Sequence, residues 1–406
     1  MQNKKALAIA VGLVFAVPAV HAQERENSGP EPDSVIQMYG KLYPEVVFPS
    51  GHGPTAAGST VSTLSPKPTG EGGIIRRTEV ESSNSRLGFR GHEKLSRDLK
   101  AIFQLETEFH VTDNDSAFAA RDSFVGLDHR QWGTVKLGRM DTPFKHYGDE
   151  ISFLGVSSGN FVSTSNVLRK TGFGTSSASS FHLRRSNAVE YQTPNWAGFD
   201  AAIQYSTDET DTPTRHPHVW SAAAAYTMGP LKFAIAHERH WDLFGGSRNV
   251  ASALSNFNDQ NVRAKDKATQ ATVIYKLGVH RFEADYIRKE YNENPTLTGK
   301  FQSYKNNAYQ VLWDARWNRS WRTMLEYIHS NAGSCTLINR ACDTGGLDGT
   351  QWNFGFAYYF SRQTYLFVMG SILKNGYSAR YNNEAEQAPA VGEDVKQYAV
   401  GMNHSF

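Results

Sequence analysis

The sequence lacks any long apolar run after its first twenty-two residues. Between Gln23 and Phe406 no uninterrupted apolar stretch is long enough to cross a bilayer as a helix. The mean hydropathy of −0.50 agrees with this. A helical membrane protein is therefore excluded. The chain is either free in solution or crosses a membrane as a closed β-barrel, because in lipid every backbone N–H and C=O must be hydrogen-bonded within the protein.

Cysteine is equally scarce. The only two, Cys335 and Cys342, lie seven positions apart in a stretch that also carries Gly, Asn and Asp. A zinc site needs a further Cys or His pair nearby, and none is present, so no bound metal is expected. In an oxidising compartment we expect these two cysteines to form a small loop disulfide.

An excess of charge of either sign is also missing. The full chain has 42 basic and 40 acidic residues. Lys4 and Lys5 lie in the segment that we expect to be removed on export, and without them the two signs are equal. The overall charge therefore predicts no nucleic-acid partner.

The first residues are typical of a secretory signal. Lys4 and Lys5 precede an apolar stretch over residues 6–20, and Val20-His21-Ala22 has the small residues of a cleavage site. We therefore expect residues 1–22 to be a signal peptide. Residues 23–406 are then predicted to form one exported domain without a linker.

Aromatic residues and glycine are plentiful, with 18 Tyr, 23 Phe, 8 Trp and 34 Gly. Apolar and polar residues also alternate with period two, as expected when one face of a strand meets lipid and the other meets water. The clearest example puts five aromatic residues on one strand face: Trp352, Phe354, Phe356, Tyr358 and Phe360. A soluble β-sandwich alternates in the same way, so a single strand does not separate the two folds.

The number of such segments and their spacing favour the barrel. Even strand numbers, short turns on one side and long loops on the other are typical of single-chain bacterial barrels. Short turns are predicted around residues 228–230, 277–279 and 361–362, and long polar loops at 48–73, 140–185, 241–266, 331–348 and 375–394. Sixteen strands are predicted, near residues 35–47, 83–92, 98–110, 119–129, 132–139, 186–193, 198–207, 218–228, 231–240, 268–277, 280–290, 304–317, 320–330, 350–360, 363–374 and 395–406.

Several segments resemble the trimeric general porins of beta-proteobacterial type. They are SVIQMYGKLYPEV (34–46), SNSRLGFRGHEKLSRDLKAIFQLETEF (83–109), RDSFVGLDHRQWGTVKLGRMDTPF (121–144), RSNAVEYQTPNWAGFDAAIQY (185–205) and the terminal Phe406. The resemblance covers essentially the whole chain after residue 22. It departs where Pro44 follows Tyr43 instead of an Asp, and where Glu190 replaces a commonly basic residue. Because Pro44 has no N–H, we expect it at a bulge or strand end.

The resemblance implies a 16-stranded antiparallel transmembrane β-barrel in which the third loop, residues 140–184, folds inward. An external flap is the alternative for this loop. The resemblance also implies wall arginines at Arg121 and Arg185 that face the loop acids Asp149 and Glu150. Phe406 would then be the signal read by the barrel-assembly machinery, and the protein would be a homotrimer among outer-membrane lipid and lipopolysaccharide.

The alternation of inward and outward side chains along the strands predicts further pore-lining cations. Lys41, Arg86, Arg90 and Lys136 have apolar neighbours in sequence, which points their own side chains to the lumen. Fixed charges that line a narrow pore set its ion preference. Each of these four residues is equally well explained as a solvated charge on the water-facing side of its strand. Acids with the same inward phase reduce the expected preference for anions to a weak one: Glu106, Glu108, Glu190 and Asp314.

These patterns predict a water-filled channel for passive diffusion of ions and small hydrophilic solutes across the outer membrane. The close alternative is a substrate-selective channel for small organic or aromatic acids. A membrane-embedded hydrolase and an adhesive barrel with a closed lumen are two further classes. Residues 155–159 match the spelling of a nucleophile elbow, but that motif needs a buried strand before it and a helix after it. Neither enzymatic activity nor a cofactor is predicted.

Overall fold

The computed structural model of the chain describes residues 33–82, 84–112, 116–119, 121–148, 150–156 and 160–406. The predicted signal peptide lies outside these residues. The regular secondary structure of the described chain is almost entirely β. No helix within it has the length and apolar character needed to cross a bilayer.

One short helix and twenty strand segments make up the regular structure, apart from two single 3₁₀ turns. The helix is α1 (Pro143–Tyr147). The strands are β1 (Ser34–Leu42), β2 (Glu45–His52), β3 (Glu79–Glu81), β4 (Arg86–Lys94), β5 (Leu99–Phe109), β6 (Ser116–Ala117), β7 (Ser123–His129), β8 (Gly133–Asp141), β9 (Arg184–Gln192), β10 (Phe199–Thr207), β11 (His218–Met228), β12 (Leu231–Trp241), β13 (Lys265–Leu277), β14 (His280–Asn292), β15 (Phe301–Arg316), β16 (Trp321–Ser330), β17 (Ser334–Leu337), β18 (Gly349–Tyr359), β19 (Thr364–Asn375) and β20 (Asp394–Ser405).

These segments form one closed antiparallel sheet of sixteen wall strands. β1 and β2 together make the first wall strand, and β3, β6 and β17 are short additions that pair with β2, β5 and β15. Every other strand pairs with its neighbours along the chain, and β20 pairs with both β1 and β2, which closes the barrel. The predicted 16-stranded antiparallel barrel is confirmed.

The first wall strand differs from its prediction because it is interrupted. It was expected as one segment over 35–47, but Tyr43 and Pro44 separate β1 from β2, which then continues to His52. Pro44 has no N–H to donate to the ladder, so it lies at this break, as expected. Its carbonyl still accepts a hydrogen bond from the Met402 N–H at 3.1 Å.

The period-two alternation is confirmed in the wall. On β18 the side chains of Trp352, Phe354 and Phe356 are exposed on the outer surface, whereas Gln351 and Asn353 between them are completely buried inside. Lipid dissolves the first set, and the second set needs hydrogen-bond partners in the interior. The barrel therefore has an apolar outside and a polar inside.

Long loops and short turns also lie at opposite ends of the barrel, as predicted. The loops are less external than expected, however. Residues 53–78 and 376–393 pack on one another over the mouth, where the Ser62 N–H donates to Ser378 Oγ at 2.8 Å. Glu393 accepts from the Gly73 N–H at 2.7 Å, and Leu64 is fully buried. These contacts narrow the entrance on the long-loop side.

Cys335 and Cys342 are joined by a disulfide in the loop that follows β16. The disulfide closes a small external loop and does not connect a wall strand to a loop inside the lumen. We therefore expect reduction with a thiol to leave single-channel conductance nearly unchanged in planar bilayers. A large loss of conductance on reduction, reversed by reoxidation, would show instead that this loop controls the passage.

Candidate pore constriction

The loop between β8 and β9, residues 142–183, is called here the folded-in loop. It starts with α1, where Thr142 Oγ1 caps the helix by accepting from the Lys145 N–H at 3.3 Å, and Pro143 follows in the first turn. The helix packs inside the barrel against β10, β11 and β12. Its Phe144 N–H donates to Ser221 Oγ at 3.0 Å. The first turn of the loop is thus fixed to the inner wall.

Beyond α1 the folded-in loop crosses the lumen and is held by inward-facing side chains of distant strands. The Ile151 N–H donates to Glu283 of β14 at 2.8 Å, and the Tyr365 hydroxyl of β19 donates to the Leu154 carbonyl at 2.7 Å. The Asn160 amide donates to Glu45 of β2 at 2.5 Å. The loop therefore reaches the far side of the barrel.

The return path is held in the same way. Gln351 and Asn353 of β18 donate to the carbonyls of Phe161 and Val162 at 2.8 and 3.0 Å. Farther along, the Lys289 ammonium donates to the carbonyls of Leu168 and Lys170 at 2.8 and 2.7 Å. These contacts confirm the inward fold and exclude an external flap.

An apolar layer lies between the folded-in loop and one side of the wall. Phe153, Leu154 and Phe161 of the loop are buried against inward aromatic residues such as Tyr43 and Phe367. This side of the wall would otherwise expose apolar surface to water. The loop covers this surface, so the passage runs beside the apolar layer, along a basic part of the wall.

Next to the apolar layer, where the Lys41 ammonium lies over the Tyr43 ring, four residues form what we call the Glu106 cluster: Lys41, Arg86, Arg121 and Glu106. Arg121 is in contact with Glu106, and Arg86 Nε lies 3.8 Å from the same carboxylate. Lys41 is opposite Arg86 in the β1–β4 ladder and donates to the Gly155 carbonyl of the folded-in loop at 2.6 Å. The wall cations and the folded-in loop are therefore in contact here, at the edge of the narrowed lumen.

Two further groups belong to this level of the wall. The Tyr39 hydroxyl donates to Glu106 at 2.9 Å, and Arg121 Nη1 lies 3.9 Å from Glu108. Arg90 lies four positions beyond Arg86 on β4, closer to the short turns. Its Nε donates to Gln37 at 3.1 Å, and its guanidinium lies over the Tyr39 ring. Within the described residues Arg90 has no ion pair. Basic groups therefore exceed acidic groups at this level.

A second cluster of charged side chains lies beside the Glu106 cluster, and its positive and negative charges are equal in number. Arg184 contacts Asp122 at 2.6 Å and Asp141 at 2.9 Å, and Lys145 of α1 contacts Asp141 at 2.9 Å. Burial lowers the pKa of Lys145, although Asp141 opposes that effect. Two cations and two carboxylates leave no net charge here.

The remaining predicted cations have partners on neighbouring strands. Lys136 contacts Glu190 at 2.7 Å. Arg185 donates to Ser206 Oγ at 3.2 Å and lies 3.4 Å from Asp208. Glu190, which departs from the resembled family, therefore compensates one of the wall cations.

Glu150 of the folded-in loop is placed differently from the expected arrangement. Glu150 forms its ion pair with Lys232 of β12, and Asp149 lies outside the described residues. The carboxylate in contact with Arg86 and Arg121 is Glu106 of the adjacent strand β5. Strand phase already identified Glu106 as inward, but Arg184, at the boundary between loop and strand, had no phase from which to be found.

A cavity of about 180 Å³ lies on the long-loop side of the constriction. It is lined by Lys170 of the folded-in loop, by Glu81 and Glu384, and by amides including Asn166 and Gln397. Burial lowers the pKa of Lys170. The cavity has room for a solute of a few heavy atoms that carries charge of either sign. Among the described residues no group of three His, Cys, Asp or Glu side chains could hold a metal ion.

Comparison with known proteins agrees with this architecture. The family model described as Gram-negative porin matches residues 6–376. The major outer membrane protein P.IB of Neisseria sicca is 32% identical over 346 residues, covering 81% of this chain and 86% of that protein.

Two solved structures share the fold. An anion-selective porin from Comamonas acidovorans superposes with a TM-score of 0.68 at 21% identity, over 92% of this chain and 100% of that one. The trimer form of OmpT from Vibrio cholerae superposes with a TM-score of 0.61 at 14% identity, over 92% and 100%.

Proposed function

The chain belongs to the Gram-negative porin family and is an outer-membrane channel for passive diffusion, and we propose that this channel weakly prefers anions. The observation that carries the proposal is the Glu106 cluster. There Lys41, Arg86 and Arg121 surround one carboxylate at the place where the folded-in loop meets the wall. Ions and small hydrophilic solutes pass this point.

The expected preference is small because acids neutralise most of the wall. At about 6 Å in a water-like dielectric, one unit charge contributes roughly 0.7 kcal/mol to the energy of a passing ion. The Glu106 cluster and Arg90 leave a surplus, as do Arg281 and Arg322, which share the single carboxylate of Asp314. Lys136 and Arg184, by contrast, are compensated by Glu190, Asp122 and Asp141. The surplus positive charge of the Glu106 cluster lies on one side of the lumen and so produces a transverse field that orients polar solutes. The anion selectivity of the Comamonas porin that shares this fold agrees with the proposal.

Solute flux into proteoliposomes tests the passive channel. A general pore gives a rate that rises linearly with solute concentration and falls with solute size. Saturation at low concentration by one class of solute would contradict a general pore.

Lys170 in the lining of the 180 Å³ cavity favours one alternative, a channel selective for small organic or aromatic acids, although Glu81 and Glu384 in the same lining oppose it. That alternative predicts that a carboxylate solute saturates its own flux and blocks ion current at low concentration. A neutral solute of the same size would do neither.

The family names indicate a channel rather than an enzyme, and we propose that the barrel has no catalytic activity. Incubation of the purified protein with phospholipid and with peptide should give no turnover above the background. Turnover abolished by substitution of one side chain would overturn this. An adhesive barrel with a closed lumen would give no channels in planar bilayers.

We further propose that the exported chain begins at Gln23, that three copies assemble, and that outer-membrane lipid and lipopolysaccharide surround them. Resemblance to the trimeric porins supports the assembly. N-terminal sequencing of the protein from membranes should begin at Gln23. Native mass spectrometry should give three times the mass of the processed chain, and a monomer under the same conditions would contradict the trimer.

Phe406 is proposed as the residue read by the barrel-assembly machinery. Its backbone N–H and carbonyl both bond to Gly40 at 3.0 Å, and its ring lies where a Cβ on Gly40 would be. We expect Phe406→Ala to lower the amount of folded protein in membranes severalfold in cells. The same variant, refolded from denaturant into detergent, should recover most of the wild-type yield. Equal losses in cells and in refolding would assign Phe406 a structural role only.

A further inference from the structure

Three separate parts of the fold meet at the 180 Å³ cavity on the long-loop side of the constriction. The folded-in loop contributes Lys170, the loop after β19 contributes Glu384, and the wall contributes Glu81 and Gln397. A solute that enters from the long-loop side therefore reaches this cavity before it reaches the constriction.

The amide groups that line the cavity are already used to hold its walls together. The Asn166 amide donates to the carbonyls of Asn160 and Phe161, both at 3.2 Å. The Asn383 amide donates to the Phe161 carbonyl at 3.1 Å, and the Gln397 amide donates to the Asn383 carbonyl at 2.9 Å. These bonds join the folded-in loop to the loop after β19 and to β20. Recognition of a solute is therefore left to the charged groups of the lining.

Lys170 supplies the positive charge of the lining. Its ammonium forms no hydrogen bond or ion pair with any residue that the structure describes. Burial lowers the pKa of Lys170, and no carboxylate is close enough to oppose that effect. A carboxylate that arrives with a solute would give this ammonium a charge-assisted hydrogen bond.

The negative charge of the lining comes from a group of carboxylates around Arg77. Glu79 contacts Arg77, and Glu384 Oε1 lies 3.8 Å from the same guanidinium. Glu81 is hydrogen-bonded to Glu79, so these two carboxyl groups share one proton. Oε1 of Glu384 is buried and accepts no hydrogen bond within the described part of the chain. One guanidinium and one shared proton do not neutralise three carboxyl groups, so at least one negative charge remains.

The two signs of charge line one cavity without neutralising each other, because neither Glu81 nor Glu384 forms an ion pair with Lys170 within the described residues. We propose that the cavity binds a small zwitterion, an amino acid whose ammonium and carboxylate are several bonds apart. The solute carboxylate contacts Lys170, and the solute ammonium contacts Glu81 and Glu384. The proposal rests on the channel function given above and adds a class of solute that binds on the way through.

Three solutes with the same number of non-hydrogen atoms separate the two contacts. γ-Aminobutyrate carries both charges, γ-hydroxybutyrate carries only the carboxylate, and γ-aminobutyramide carries only the ammonium. Ligand-observed NMR with the intact purified protein in detergent measures the dissociation constant of each solute. The wild type should bind γ-aminobutyrate roughly fivefold to tenfold more tightly than either of the others, because each of those loses one charged contact.

One variant for each sign of charge should remove one half of this preference. Lys170→Gln should bind γ-aminobutyrate no more tightly than γ-aminobutyramide, because the contact with the solute carboxylate is lost. Glu81→Gln/Glu384→Gln should bind γ-aminobutyrate no more tightly than γ-hydroxybutyrate, because the contact with the solute ammonium is lost. The matched controls Lys67→Gln and Glu71→Gln remove exposed charges of the loop after β2, outside the lining, and should keep the wild-type preference.

Equal affinity of the wild type for all three solutes would overturn the proposal, as would a full preference for γ-aminobutyrate that survives in both cavity variants. Conductance in KCl reports on the channel separately. Normal conductance without the preference contradicts the zwitterion site alone, whereas the preference without conductance contradicts the channel alone.

Discussion

Replacement of Arg86 and Arg121 together by glutamine is expected to reverse the weak anion preference. The two guanidinium groups lie against Glu106 at the level where the folded-in loop contacts Lys41. At about 8 Å in water a unit charge shifts the energy of a passing ion by roughly 0.5 kcal/mol, downward for chloride and upward for potassium, so the loss of two charges removes about 2 kcal/mol of discrimination. The ratio of chloride to potassium permeability should fall by up to roughly thirtyfold. The zero-current potential in a salt gradient measures this ratio.

Two matched variants separate charge from structure. Arg86→Lys/Arg121→Lys keeps both charges and should keep the wild-type potential. Glu106→Gln removes the shared carboxylate and should move the potential in the opposite direction, towards anions. If the glutamine variant forms normal channels with the wild-type potential, the Glu106 cluster does not set ion preference.

Shortening the folded-in loop is expected to change conductance most. The Arg169 guanidinium donates to the Gly148 carbonyl, and Gln270 holds both residues to β13. Residues 150–168 are therefore replaceable by two glycines while α1 and the base of the loop remain. Because this deletion removes the part of the folded-in loop that crosses the lumen, single-channel conductance should rise severalfold. The permeability ratio should approach one, because ions then pass farther from Arg86 and Arg121.

The control for this deletion is a shortened external loop. Asp208 and Pro217 already meet through a backbone hydrogen bond of 3.0 Å, so residues 209–214 can be replaced by two glycines. That variant should keep the wild-type conductance. A milder variant, Gln351→Ala/Asn353→Ala, removes the hydrogen bonds to Phe161 and Val162 and should add current fluctuations without unfolding the barrel. Wild-type conductance and noise in both lumen variants would contradict a constriction made by this loop.

The wall of the barrel was predictable because it depends on a local property. A lipid-facing residue such as Trp352 and an inward one such as Asn353 are adjacent in sequence, so alternation alone assigns them. The interruption at Pro44 was expected for the same reason, since a missing N–H acts on its own residue. Continuation of the strand through β2 was missed because Pro49 and Gly51 are typical of loops.

The interior was less predictable because its contacts join residues far apart in sequence. The pairing of Glu150 with Lys232 depends on the exact path of the folded-in loop across the lumen. Strand phase found Glu106 and Lys136, but it does not say which acid faces which cation. The apolar residues Phe153 and Phe161 were also overlooked, although their burial is what holds the loop to one side.

The loop after β19 shows the same limitation. Its composition is that of an external loop, yet Tyr381 and Asn383 are buried, and Asn383 donates to the Phe161 carbonyl of the folded-in loop at 3.1 Å. Polar loops fold inward when the surface that receives them is itself polar, because hydrogen bonds replace water on both sides. Nothing in the local sequence indicates that surface, which is formed by Ser371 and Gln397 of two wall strands.

The central claim is that lipid-facing strands enclose an aqueous passage whose narrowest part is slightly basic. Single-channel recording of the purified wild-type protein in a KCl gradient tests it most directly. We predict open channels with a linear current–voltage relation and a small zero-current potential of the sign set by chloride. A potential set by potassium, or a protein that inserts as a folded barrel and conducts no current, would contradict the account.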